Sequence, residues 1–578
     1  MGKNLKEIAF SLVRWDEELV EEHRMRTLPL LCTFCSCIAA ATLQAGSATW
    51  TLDPVNGDWN TAVNWTPETV PNDSADIATF ASSNTTNVSL SQQTDVDSIV
   101  FDPSANAYTI NTAAHRLTFF GAGIVNNSLN QENFVTGIQD GDLIAFRNNS
   151  TAGNALVTVH GDALQPFVFF HDNSTAGTAT FINNGGFGGA VTWFFNSSSA
   201  DSATFYNYSL GDGFNDGVTV FMNHATAATA TIFCQGGGAV FHDYSTAANS
   251  TLIADSGNIV FADNASAGDA MVVANGAPNR EQLPPAIFFI SGQARAGNAT
   301  LVANGGRDGG TGGLIVFWYQ TRGDKARVQL SGNGRLIIKD HDPLAPMTIG
   351  SLEGDGAVTL GANNLAVGRN HLQTIFSGVI NDGIGFTGGS ITKVGVGTLD
   401  LRGSSSYTGG TLIESGNLLV DNTLGSATGT GPVQVNGGTL GGKGIIAGPV
   451  SIGTGQVNRG ILSPGIKGIG LLTIQNSVTF AGLGSYNWKM DTVAVMADEI
   501  TAAGVTIDNG ALFSAVVKGN SVLPIGTTFS VINNTGPQAI SGRFSNLPDG
   551  SSFTAGNNTF QASYSGGDGN DLTLTVVP

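Results

Sequence analysis

Residues 170–182 read Phe170-His171-Asp172-Asn173-Ser174-Thr175-Ala176-Gly177-Thr178-Ala179-Thr180-Phe181-Ile182, and the phrase keeps returning. Its clear copies centre on Ala152, Ala176, Ala200, Ala227, Ala247, Ala267 and Ala296, with a degraded eighth near Arg322. The centres lie 24, 24, 27, 20, 20 and 29 residues apart. Self-similarity at 20 to 30 residues is the mark of a solenoid, in which each repeat buries its apolar face against its neighbours.

Column by column the copies agree. Six residues before the centre stand Phe146, Phe170, Phe194, Phe221, Phe241, Phe261 and then Ile290. Four before it stand Asn148, Asp172, Asn196, Asn223, Asp243, Asp263 and then Gly292. Five after it stand Val157, Phe181, Phe205, Ile232, Leu252, Val272 and Leu301. Only the Gly-rich remainder varies in length, as loops tolerate and stacked strands do not. Within a copy, apolar and polar residues alternate, as in Thr178-Ala179-Thr180-Phe181-Ile182. Thr, Val, Phe and Ile dominate, and no 3.6-residue period holds. The coils are therefore strands stacked in parallel, about 4.8 Å apart. The Phe column predicts a buried aromatic ladder.

Composition agrees. The 578 residues include 78 Gly and only 12% charged residues, with 41% hydrophobic and a net charge of −20. Scarce charge with this apolar content is no disorder signature. The acidic balance and 24 Lys plus Arg argue against nucleic acid or an anionic membrane surface as partner.

Residues 1–24 are charged and unlike anything downstream, and read as an upstream mis-start or an extended n-region. Met25 opens a better start: Met25-Arg26-Thr27, an apolar run to Ala45, then Gly46-Ser47-Ala48. Residues 25–48 thus read as a secretory signal peptide, with no integral membrane segment in the mature chain. Cys32, Cys35 and Cys37 fall inside that segment, leaving Cys234 as a buried structural thiol. Residues 49–140 form a Trp-containing β cap. Trp59 and Trp65 there are read as a plug for the open solenoid end, with stacking on sugars as the alternative. The Ser-Thr-Ala-Gly solenoid occupies 141–332.

A second texture starts near Leu330 and fills 333–480. It includes Thr392-Lys393-Val394-Gly395-Val396-Gly397-Thr398-Leu399-Asp400-Leu401, then Tyr407-Thr408-Gly409-Gly410-Thr411-Leu412-Ile413 and Ser415-Gly416-Asn417-Leu418-Leu419-Val420. This stretch closely resembles the autotransporter-associated β-strand repeat, K-x-G-x-G-T-L-x-L…Y-T-G-x-T-x-I…G-x-L. The downstream Asn436-Gly437-Gly438-Thr439-Leu440 and Gly460-Ile461-Leu462-Ser463-Pro464-Gly465 are similar to passenger segments of that kind. The Ser-Thr-Ala-Gly array is similar to a repeat of large bacterial surface proteins. The resemblance implies an all-β fold: an elongated right-handed parallel β-helix, pectin-lyase-like, with N- and C-terminal β caps, exported by a Gram-negative bacterium. Residues 481–578 read as the C-terminal cap. They are too few for the translocator barrel of such autotransporters, so attachment is expected to be peripheral or absent.

Chemistry-bearing residues are sparse. Asp243 and Asp263 fall in adjacent copies, where stacked carboxylates can hold calcium or act as an acid–base pair. Asn148, Asn196 and Asn223 fill the same column, which favours an Asx turn at each bend. His171 and His242 share a column, interrupted by Phe195 and Met222. Asp340-His341-Asp342 reads as a polar turn. Gly566-Gly567-Asp568-Gly569-Asn570-Asp571 matches the calcium nonapeptide once, with Asp568 and Asp571 as its ligands. One copy lacks the neighbouring repeat such a site needs, so no cofactor is expected, calcium being the one candidate. Arg147, Arg280, Arg295 and Arg307 share no column. The reading is a secreted or cell-surface protein, structural or adhesive and non-catalytic, with surface polysaccharide or a cell-surface protein as partner. The alternative is a polysaccharide-binding or polysaccharide-degrading β-helix, on fold analogy.

Overall fold

The structure, a computed structural model, describes residues 46–136, 143–161, 166–186, 188–209, 216–279, 282–344, 347–454, 458–466 and 468–578. The expected signal peptide, with Met25 and the three early cysteines, lies outside these up to Ala45. Ala48 already opens the first strand, Ala48–Trp50. Among the described residues there is no α-helix, one short 3-10 turn at Ala62–Asn64, and otherwise strands and loops. The chain divides into two compact units between Ser266 and Ala267.

In the first unit each coil contributes two strands and a bend. One sheet takes its strands from Ile77–Phe80, Thr94–Phe101, Arg116–Asn126, Leu143–Phe146, Phe167–Phe170, Ala190–Phe194, Gly217–Phe221, Gly238–Phe241 and Asn258–Phe261, all paired in parallel. A second runs from Asn87–Ser89 through Leu156–His160, Thr180–Asn184, Thr204–Tyr208 and Thr231–Gln235 to Thr251–Ala254. At the bend a single residue of each coil bridges the next: Thr151, Thr175, Ser199, Thr226, Thr246 and Ser266. This is a parallel β-solenoid, as the repeats predict.

The core carries the expected aromatic ladder. Phe119, Phe146, Phe170, Phe194, Phe221, Phe241 and Phe261 are all fully buried. Their successive ring centroids lie 4.8, 4.6, 4.5, 4.8, 4.7 and 4.9 Å apart with nearly parallel planes. Offset-stacked rings at this spacing add attraction beyond their buried area. Beside them runs a polar ladder that the sequence does not announce. Asn183 Nδ2 donates to Asn207 Oδ1 at 2.8 Å, and Thr192 and Thr219 hydroxyls donate to the two amide oxygens. Both amides are fully buried and find partners, as buried polar groups must. Cys234 follows Asn207 in that column. Burial pushes its thiol up to about 12, so it is an inert core residue.

The end of this unit is plugged. Trp50, Trp59 and Trp65 are 1%, 0% and 1% exposed and meet edge to face at 5.0 Å. Each indole N–H donates to a backbone carbonyl, of Thr85, Pro71 and Trp59 respectively. Sugar stacking on these tryptophans is overturned, because no ring face reaches solvent.

The second unit stacks in the same way. Strands Met271–Ala274, Thr300–Ala303, Arg327–Leu330, Ser351–Gly354, Thr374–Phe376, Thr398–Leu401, Asn417–Val420, Gly438–Gly442, Gly460–Pro464, Gly484–Asp491 and Leu512–Lys518 form one parallel series. Parallel pairing passes residues 332 and 480 without interruption and reaches Ser541–Gly542. Those two sequence boundaries mark changes of motif, not breaks in stacking. The closing element is antiparallel: Thr528–Asn534, Asp571–Val577, Asn558–Gly566 and Ser552–Ala555.

Two registers are corrected. Phe289, not Ile290, holds the ladder position, since Phe289 pairs with Phe317 and stacks on it at 4.4 Å. The seventh copy therefore carries one extra residue before its bend. The eighth centres on Gly323, with Phe317, Tyr319, Thr321 and Ala326 in the repeat columns.

Candidate functional site

The Asx column owes its composition to backbone geometry. Asn148, Asp172, Asn196, Asn223, Asp243 and Asp263 all have φ between 53° and 59°, and Gly292 has 55°. Asn, Asp and Gly tolerate this left-handed region best among the residues. The side chains then tie coil to coil rather than capping their own turn. Each side-chain oxygen accepts the backbone N–H of the preceding coil's Asx: Asp172 from Asn148 at 2.9 Å, Asn196 from Asp172 at 3.1 Å, Asn223 from Asn196 at 3.0 Å, Asp243 from Asn223 at 2.8 Å. Asp263 Oδ2 lies 3.3 Å from the Asp243 N–H and 3.3 Å from His242 Nδ1. Asp243 and Asp263 are brought together, but each is engaged in holding backbone.

The other candidates stand apart. His171 stacks on Phe195 at 5.1 Å, while His242 faces Asp263. His341 is buried, with Nε2 2.8 Å from the Thr321 carbonyl. Asp568 is exposed in the turn of the antiparallel hairpin Asn558–Gly566/Asp571–Val577. Asp571 is buried and accepts the Asn534 N–H at 2.8 Å. The nonapeptide match thus sits in an antiparallel hairpin, where no parallel neighbour supplies a second half-site. Among the described residues no three His, Cys, Asp or Glu side chains are grouped to hold a metal. Arg280 lies outside the described residues; Arg295 pairs with Arg322 at the bend, a juxtaposition hidden by the degraded eighth copy.

The second texture is built differently. Lys393 is 1% exposed, and its ammonium donates to the carbonyls of Val394 at 2.6 Å, Gly395 at 2.8 Å and Ser415 at 3.3 Å. Burial pulls this ammonium down to about 8. Gly395 sits at φ 66°, where an added Cβ would lie 2.1 Å from the Gly368 carbonyl oxygen. Tyr407 is fully buried and its hydroxyl pairs with Thr411 at 2.6 Å. The signature Lys, Gly and Tyr are thus internal ties of the coil. A family model, the passenger-associated-transport-repeat, matches residues 391–420, the span that carries these ties. The chain carries a passenger-type repeat. No curated protein matches this chain. Among solved structures it is similar to the crystal structure of the Haemophilus influenzae Hap adhesin, at 9% identity and a TM-score of 0.30. That likeness covers 87% of this chain but only 64% of the other. No helix of the described residues is long and apolar enough to cross a membrane.

The feature that sequence reasoning missed is the outward face of the first unit's second sheet. One outward column runs Leu156, Thr180, Thr204, Thr231 and Thr251. The next runs Thr158, Ile182, Tyr206, Phe233 and Ile253. All ten are partly exposed. Tyr206 and Phe233 stack at 5.1 Å and 7°, and Tyr208 lies parallel to Tyr206 at 6.3 Å. The signal was present in the alternation Thr-Phe-Ile, Thr-Phe-Tyr, Thr-Ile-Phe, whose outer members repeat as faithfully as its inner ones.

Proposed function

We propose that this protein is an exported, cell-surface or secreted structural or adhesive protein that works through its repetitive surface rather than through a catalytic centre. The observation that carries the reading is the use of its acidic column. Asp172 and Asp243 each accept a backbone N–H from the neighbouring coil, and Asp263 faces both such an N–H and His242. An acid–base pair for glycoside cleavage needs two carboxylates flanking a bond in a cleft. These line a bend and hold it. A repeated surface gives area and reach, which suits adhesion. The match to a passenger-type repeat supports export.

The test is to display the full chain on a bacterium that lacks it and to measure adherence to protein-coated and polysaccharide-coated surfaces. Reducing-end release from the polysaccharides is followed with and without calcium. Adherence without bond cleavage is expected. Cleavage that is lost in Asp243→Asn with Asp263→Asn would overturn the reading in favour of a β-helical hydrolase or lyase.

A further inference from the structure

The outward face described above has a defined chemistry. Its two columns from Leu156 to Ile253 contain no Asp, Glu, Lys or Arg. Tyr206 and Phe233 stack on each other between Ile182 and Ile253, and all four are partly exposed, giving an apolar stripe along the coils. Beside it, coil by coil, runs a row of threonine hydroxyls. Stripe and row are fixed by in-register parallel pairing, so the face is preorganised and binding it demands little ordering.

From this we infer that the face is a binding strip for a neutral, unbranched polysaccharide. The proposal rests on the adhesive reading and names its partner. The charge balance selects this occupant. A polyanionic glycan or a second copy would approach a molecule of net charge −20 with charge of the same sign, and a polycation would find no carboxylate on the strip. A neutral glycan ribbon meets neither obstacle. It has an apolar C–H face, which lies on the Tyr206–Phe233 stripe, and hydroxyl edges, which exchange hydrogen bonds with Thr204, Thr231 and the Tyr208 phenol. Rigid aromatic side chains flanked by hydroxyls supply apolar area and orientation at small entropic cost.

The experiment is retention of the full chain on cellulose, chitin and a soluble neutral β-glucan, against alginate and hyaluronate, at low and high salt. Wild type is compared with Tyr206→Thr/Phe233→Thr, and with Thr231→Glu, which adds charge without touching the aromatic stack. Thermal melts check that each variant folds. Retention on at least one neutral polysaccharide is expected, insensitive to salt, and at least about tenfold weaker in both variants. Unchanged retention in folded variants, or retention on the polyanions alone, overturns the proposal. So does self-association that disappears in the double variant, which would make a second copy the occupant. If wild type ignores every polysaccharide yet adheres to protein-coated surfaces, the strip proposal falls and the adhesive reading stands. Silence on both kinds of surface removes both.

Discussion

The Ser-Thr-Ala-Gly array and the passenger-type repeat solve one problem with different chemistry. Each coil of a solenoid must turn sharply and still satisfy its backbone where it turns. In the array the turn residue is Asn or Asp at positive φ, and its side chain reaches to the preceding coil. In the repeat the turn residue is Gly395, whose missing Cβ lets the Gly368 carbonyl approach, and Lys393 collects three carbonyls from inside. The array distributes its ties, one per coil. The repeat concentrates them in one buried ammonium. Damage to the array should therefore be graded, whereas the repeat should fail at a few positions.

The largest effect tests what the array cannot distribute. Phe221 stacks on Phe194 and Phe241 and is fully buried. Phe221→Ala should cost about 3–5 kcal/mol by lost transfer energy and cavity formation, read from urea unfolding. Next comes Gly395→Ala. A methyl 2.1 Å from a backbone oxygen, in left-handed backbone, should cost about 2–4 kcal/mol, while the same exchange at exposed Gly550, with nothing within 4 Å, costs only the conformational term.

The third prediction is a pH dependence. Burial holds Lys393 at about 8 against 10.5 in the unfolded chain. Between those values the unfolded state binds the extra proton, so stability rises with pH. At about 1.4 kcal/mol per pKa unit, wild type should gain up to roughly 3 kcal/mol relative to Lys393→Met on going from pH 8 to pH 10.5. Parallel melts of both proteins isolate this group, and parallel slopes for the two would show that Lys393 is not desolvated. The smallest effect belongs to the Asx column. Asp243→Ala keeps the strained φ and loses the acceptor for the Asn223 N–H, for about 1–2 kcal/mol. Asp243→Asn, which keeps an oxygen, should stay within about 0.5 kcal/mol.

Much of this was legible in the sequence because a solenoid writes its register into the chain. Columns of Phe, Asx and Ala translate directly into stacked rings, turns and close approaches. Phe289 escaped because the run Phe288-Phe289-Ile290 offers several apolar residues to one column, and a one-residue insertion leaves no mark there. Asn183 and Asn207 escaped because polar residues on a strand read as outward, and only the fold shows that they satisfy each other inside. Lys393 is visible as a signature residue, but its three carbonyl partners lie within two residues of it or a whole coil away, which spacing cannot reveal. The candidate site was the least legible part. Asp243 and Asp263 do lie in adjacent coils, as their shared column predicts, yet what they do depends on hydrogen bonds to the preceding coil. The outward strip shares one alternation with the buried columns, and the stacking of its outer members across coils shows only in the fold.

The parallel in-register stacking underlies the ladder, the turns and the strip alike. It is tested most directly by engineered cross-linking. Thr204 and Thr231 are register partners on adjacent strands, whereas Thr251 lies one coil further on. In the full chain, Thr204→Cys with Thr231→Cys should oxidise to an intramolecular disulfide, because neighbouring strands about 4.8 Å apart fall within disulfide reach. Thr204→Cys with Thr251→Cys should remain reduced. A disulfide in the second pair and none in the first would contradict the register, and with it the stacked surface on which the functional account stands.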